Sequence, residues 1–120
     1  MLSTIAAEHI HNPRYRGPIE AATVYGVEGS PGDGPYVQLW LVVEDGVILQ
    51  AAFKTPGCPS STASASMMCQ LITGRTLEQA GQLTGQDLLV VLGGLPEGKE
   101  DHAFRSVKAL ADALAQQGEL

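Results

Sequence analysis

The chain is poor in cysteine, aromatic residues and basic charge. Its 120 residues include two cysteines, one tryptophan, three tyrosines and two phenylalanines. Two cysteines cannot build the disulfide framework of a small secreted domain, and they cannot supply the four thiolates of a closed structural zinc or iron–sulfur site. With aromatics at only 5% of the chain, the core has to be aliphatic. Seven basic side chains against thirteen acidic ones give a formal net charge of −6. That balance, with no basic patch, argues against a nucleic-acid partner, because binding phosphates demands clustered Lys and Arg. No apolar run reaches the roughly 18 residues of a membrane span. Glu8 and His9 interrupt the N-terminal segment where a secretory leader would be continuously apolar. The expectation is a cytoplasmic chain with reduced thiols and no membrane partner.

What is present suits a folded unit. Hydrophobic residues make up 44% and charged ones 17%, too apolar a mixture for disorder. The length suits a single domain over 1–120. A short helix is expected from Ser3 to His11, with Ser3 as N-cap and Asn12-Pro13 closing it. Ala21 to Glu28 reads as a strand, and the Gly-, Pro- and Asp-rich stretch from Gly29 to Pro35 as a loop. From Tyr36 to Glu44, Val37, Leu39, Leu41 and Val43 alternate with Tyr36, Gln38, Trp40 and Val42. Asp45-Gly46 then signals a hairpin into a partner strand from Val47 to Lys54.

From Pro59 to Thr73 the composition turns to Ala, Ser, Met and Leu, which reads as a helix with Gly74 as C-cap. Thr76-Leu77-Glu78-Gln79 has capping-box spacing, and Thr84 can cap a helical run through Leu92. The clearest helix runs from Asp101 to about Gln117, with Phe104, Val107, Ala111 and Leu114 as its apolar stripe. Strands precede helices, so the fold class is α+β: an antiparallel meander covered on one face by the C-terminal helices.

Several residue patterns could carry chemistry. Gly93 to Lys99 fits the Gly-x-x-x-x-Gly-Lys frame of a phosphate loop, but Glu100 replaces the magnesium-binding Ser or Thr and Pro96 removes a backbone donor, so a plain loop is the better reading. Cys58, between Gly57 and Pro59, falls at the N-cap of a helix, where the positive end of the dipole and unpaired amides favour a thiolate. Cys69 is eleven positions on, about 16 Å along an unbroken helix. That is too far for a disulfide, which needs Cα atoms within roughly 7 Å, so Cys69 reads as core beside Met67, Met68 and Leu71. His102 lies in the first turn of the last helix beside Glu100 and Asp101, whose charges complement the helix N-terminus. As a bare pattern it also reads as a solvated histidine. The serines after Cys58 lie in no Gly-x-Ser-x-Gly elbow.

Taken in order, His11-Asn12-Pro13-Arg14, Gly29-Ser30-Pro31-Gly32-Asp33-Gly34, Phe53-Lys54-Thr55-Pro56-Gly57-Cys58, Ala63 to Met68, and Leu92-Gly93-Gly94-Leu95-Pro96 with Lys99 closely resemble the NifU/IscU-like iron–sulfur cluster scaffold family. The resemblance covers nearly the whole chain. It implies an N-terminal helix, a three-stranded antiparallel sheet and packed C-terminal helices. It also implies that the Asp33 loop, the Cys58 turn and the start of the last helix converge at one end. Family members carry three ligand cysteines there. Motif by motif, Asp33 stands in place of the first, Cys58 is retained, and His102 takes the place of the third, with Asp101 on the family's histidine and Pro35 on its ligand aspartate. A slip of one residue would instead put His102 on the histidine and Ala103 on the cysteine.

Asp, Cys and His are all metal ligands, and one of each can form a three-point site with a fourth position open, a set that suits one zinc or iron ion better than a two-iron cluster. The resemblance therefore implies a non-enzymatic scaffold handling iron, an iron–sulfur cluster or zinc at Asp33, Cys58 and His102, with Asp101 as a further ligand or supporting carboxylate. It implies a cysteine desulfurase and apo iron–sulfur proteins as partners. Histidine cannot carry a persulfide, however, and Leu95-Pro96-Glu97-Gly98-Lys99 keeps three of the five positions of a chaperone-docking Leu-Pro-Pro-Val-Lys, which weighs against chaperone hand-off. The alternative is a diverged member acting as a metal-binding or regulatory interaction module without cluster assembly. A thiol enzyme with Cys58 as nucleophile and His102 as base is the third reading.

Overall fold

The computed structural model describes residues 5, 15–30, 32, 34–56 and 59–118. The expected N-terminal helix lies outside this set, Ile5 excepted. Three strands, β1 (Val24–Gly29), β2 (Tyr36–Glu44) and β3 (Val47–Lys54), form an antiparallel sheet in the order β1-β2-β3. Four helices follow: α1 (Pro59–Ile72), α2 (Leu77–Ala80), α3 (Gly85–Leu92) and α4 (Asp101–Gly118). The family-implied sheet and the α+β class are both present.

The β2 alternation is realised as read. Val37, Leu39 and Leu41 are buried on the face that meets the helices, while Tyr36, Gln38, Trp40 and Val42 face outward and remain partly exposed. The Asp45-Gly46 turn has φ of 54° and 76°, the two left-handed conformations of a type I′ hairpin, which is why Asp followed by Gly occupies it. A register shift at Val42/Val43 puts Leu49 and Gln50 of β3 both on the solvent side. The strand then resumes with Ala51 and Phe53 inward. Ala52 is buried on the opposite face, where Gly17 passes so close that a Cβ there would meet the Trp40 ring at 2.7 Å.

Helix α1 is buried on nearly every side, from Ser60 through Cys69, because it packs on β3, α3 and α4 at once. Ser64 is satisfied within the helix, its Oγ donating to the Ser60 carbonyl at 2.7 Å. Backbone bonds from Ile48 N to Arg75 O and from Gly74 N to Ile48 O, 2.9 and 2.7 Å, tie the end of α1 to β3. Both short helices begin in capping boxes, Thr76 with Gln79 and Thr84 with Asp87.

Two expectations need correction. The first strand begins at Val24 rather than Ala21, since residues 20–21 form a turn closed by Ala22 N to Ile19 O at 3.2 Å. The buried face of α4 is Ala103, Ser106, Ala109, Leu110 and Ala113 rather than the stripe of Phe104, Val107, Ala111 and Leu114. The cause is the closeness of α4 to β1: a Cβ on Gly26 would lie 2.4 Å from the Ala109 carbonyl oxygen and 2.6 Å from the Ala113 amide nitrogen. Only small side chains fit at that distance. The larger ones are displaced to the flank, where Val107 and Leu114 line a groove with Ala80 and Leu83, and Phe104 lies over Gly85.

Candidate functional site

The site end of the molecule is assembled by chain segments that are far apart in sequence. Gly29 and Tyr36 are paired across the β1–β2 ladder, so the loop carrying Asp33 leaves and rejoins the sheet at one point. Gly29 has φ of 86°, and a Cβ there would meet the Pro35 carbonyl at 2.3 Å, so the loop closes tightly on a residue that only glycine suits. At the same end of the sheet β3 finishes beside β2, with Lys54 opposite Gln38. The next residue, Thr55, donates its hydroxyl to the Tyr36 carbonyl at 2.8 Å. The described flanks of the Asp33 loop and of the segment leading to Cys58 are thus joined directly.

A second junction links the first turns of α1 and α4. Ser61 Oγ and His102 Nδ1 are 3.2 Å apart and share a hydrogen bond. Ser61 is buried, His102 half-buried. Desolvation by burial lowers the imidazole pKa below its ordinary value; Asp101 opposes this, while Arg105 and Lys99 add to it. The ring is therefore neutral near pH 7, the form that binds metals. It is not the simply solvated histidine that its helix-start position suggested. Asp101 is exposed, its carboxylate 3.4 Å from Arg105 Nε one turn along the helix.

Of the four ligand candidates, Asp101 and His102 are described, whereas Asp33 and Cys58 lie outside the described residues. Among the described residues there is no group of three or more His, Cys, Asp or Glu able to hold a metal. Cys69 is wholly buried, and desolvation pushes its thiol far above the usual range, which fits the core role expected for it. Residues 93–100, where the phosphate-loop frame failed, join α3 to α4, with Gly93, Gly94 and Gly98 at positive φ. Among the described residues, no helix is long and apolar enough to cross a membrane. Sequence reasoning missed Ser61. The serine lies in the motif after Cys58, but its partner is 41 residues away, and no local pattern encodes that pairing.

The family model of the NifU-like N terminal domain matches residues 2–118, and the chain belongs to that family. The iron–sulfur cluster assembly scaffold protein IscU 1 of Archaeoglobus fulgidus is 33% identical over 114 residues, 95% of this chain and 74% of that protein. The corresponding scaffold IscU of Aquifex aeolicus is 37% identical over 117 residues, 92% of this chain and 74% of that protein. Among solved structures, the N-terminal part of a nitrogen-fixing NifU-like protein from Brucella abortus superimposes with a TM-score of 0.72. It covers 98% of this chain and 94% of its own at 21% identity, a likeness that shows the fold.

Proposed function

We propose that this chain is a non-catalytic scaffold, a single domain over 1–120, that holds iron or an iron–sulfur cluster as cargo at Asp33, Cys58 and His102. Asp101 serves as an additional carboxylate. The observation that carries this reading is the Ser61–His102 junction. It fixes a neutral imidazole against the first turn of α1, three residues along the chain from Cys58. The bond from Thr55 to Tyr36 draws the flank of the Asp33 loop to the same strand ends. The names borne by the Archaeoglobus and Aquifex relatives favour the same role.

One carboxylate, one thiolate and one imidazole form a donor set suited to iron or zinc, with a coordination position left for sulfide or for a recipient protein. A cysteine desulfurase as sulfur source and apo iron–sulfur proteins as recipients follow from the scaffold role. Sulfur would have to arrive as sulfide or on Cys58, since the imidazole of His102 cannot carry it as a persulfide. The deciding experiment is anaerobic reconstitution with iron, sulfide and a desulfurase, followed by metal analysis and absorption spectroscopy. Charge-transfer bands that vanish in Cys58→Ala and weaken in Asp33→Ala and His102→Ala are expected. One zinc per chain with no cluster uptake would instead make the protein a metal-binding module.

A further inference from the structure

Ser61 has no place in the ligand set, yet it is 6% exposed and its hydroxyl reaches the one imidazole of the site. A metal-binding histidine ligates through one ring nitrogen and donates the proton on the other to an acceptor, and that outer hydrogen bond sets both tautomer and ring orientation. We propose that Ser61 is the positioning residue of the site: its Oγ accepts the Nδ1 proton of His102, so that Nε2 is the nitrogen presented to iron or zinc. This rests on the reading of His102 as a ligand.

The geometry favours this role over simple helix packing. Ser61 lies on the first turn of α1, a helix held by β3, α3 and α4, so its hydroxyl is a fixed point rather than a mobile surface group. His102 stands on the first turn of α4, whose position is set further along by the close approach of Ala109 and Ala113 to Gly26. Both groups are therefore carried by closely packed backbone. The 3.2 Å contact holds the ring rotation about χ2, and the tautomer follows from which of the two groups donates. The opposite polarity, with the serine donating to Nδ1, would leave the proton on Nε2 and block ligation there.

The test has two readouts. In the metal-free protein at pH 8, long-range ¹⁵N–¹H correlation of His102 should show Nδ1 protonated and Nε2 not, and Ser61→Ala should shift the ring toward the Nε2–H tautomer. An Nε2–H ring in the unaltered protein, or a tautomer unchanged by Ser61→Ala, overturns the proposal. In Co²⁺ and Zn²⁺ titrations Ser61→Ala should weaken binding about 10- to 100-fold. Ser61→Thr, which keeps the hydroxyl, should restore affinity to within about threefold, whereas a merely structural serine would give no such rescue. Binding lost in His102→Ala but unchanged in Ser61→Ala overturns the Ser61 role alone. Binding unchanged in His102→Ala overturns the ligand reading, and the tautomer measurement still decides the Ser61 contact.

Discussion

The two halves of α4 are held by different physics. Its middle lies against β1 at backbone contact distance, with Ala109 and Ala113 fitted over Gly26. Its first turn is joined to α1 by a hydroxyl–imidazole contact on a half-buried side chain. A fit made by backbone atoms tolerates no added volume, because nothing can rotate away. A side-chain contact at a partly open end constrains only the two groups that make it, not the backbone that carries them. The consequence is that the side chains at the start of α4 can change their chemistry while the fold is fixed elsewhere. A histidine at the start of α4 is therefore compatible with an intact fold.

The sharpest break of that contrast is Gly26→Ala. The new Cβ would strike the Ala109 carbonyl and the Ala113 amide, and the strand and helix would have to separate, costing about 3 kcal/mol, the upper end for overpacking. Urea unfolding should show the midpoint falling at unchanged slope. If Gly26→Ala costs less than about 1 kcal/mol, the close-packed half is looser than described.

Asp112 comes next, since it closes the same interface from the helix side. Its carboxylate accepts the Val27 amide proton at 2.9 Å and a bond from Gln116 at 3.2 Å, so it satisfies a backbone group of strand β1. Asp112→Ala leaves that amide without its partner and should cost about 1–2 kcal/mol. Faster amide exchange at Val27 is the accompanying sign, and unchanged exchange there would sever the strand from the helix in this account.

Ser106 marks the boundary between the two halves, one turn beyond His102. Its hydroxyl is fully buried and has no hydrogen-bond partner among the described residues. Ser106→Ala removes an unsatisfied polar atom with little change of volume, so stability should stay level or rise by up to about 1 kcal/mol. A loss of more than that would mean the hydroxyl has a role in positioning the turn above it.

Much of this was legible locally. The Asp45-Gly46 hairpin, the Thr76 capping box, the alternation of Val37, Leu39 and Leu41, and the limits of α3 and α4 follow from turn chemistry, caps and periodicity, which act over a few residues. The inward face of α4 was not legible. Bulk marks the core in a sequence pattern, whereas here close approach to Gly26 selects Ala109 and Ala113, the small Ala103 and Ser106 are buried on the same helix, and Phe104 lies over Gly85. The β3 bulge was hidden for a related reason, because a register shift is a property of two strands together. At the candidate site, residue types and motif spacing named His102 and Asp101 as candidates. The Ser61 contact was invisible because it depends on how α1 and α4 cross.

The smallest effect belongs to the titration of His102 in the metal-free protein. Burial lowers its pKa, Arg105 and Lys99 lower it further, and Asp101 opposes them, with Ser61 the neutral group on Nδ1. A group whose folded pKa lies below its unfolded value binds fewer protons when folded. Its contribution to stability is therefore intact above the unfolded pKa, near 6.5, and fades as the pH falls through the folded value. NMR titration should place the His102 midpoint below 6.5. His102→Gln should remove this part of the stability loss on going from pH 7.5 to 5, and metal affinity in the unaltered protein should decline over the same interval as protons compete for the ring. Lys99→Gln and Arg105→Gln should each raise the midpoint slightly, and Asp101→Asn should lower it. A midpoint at or above 6.5 would mean that the Asp101 charge outweighs burial, and the imidazole would then be cationic more often than this account of its ligand role allows.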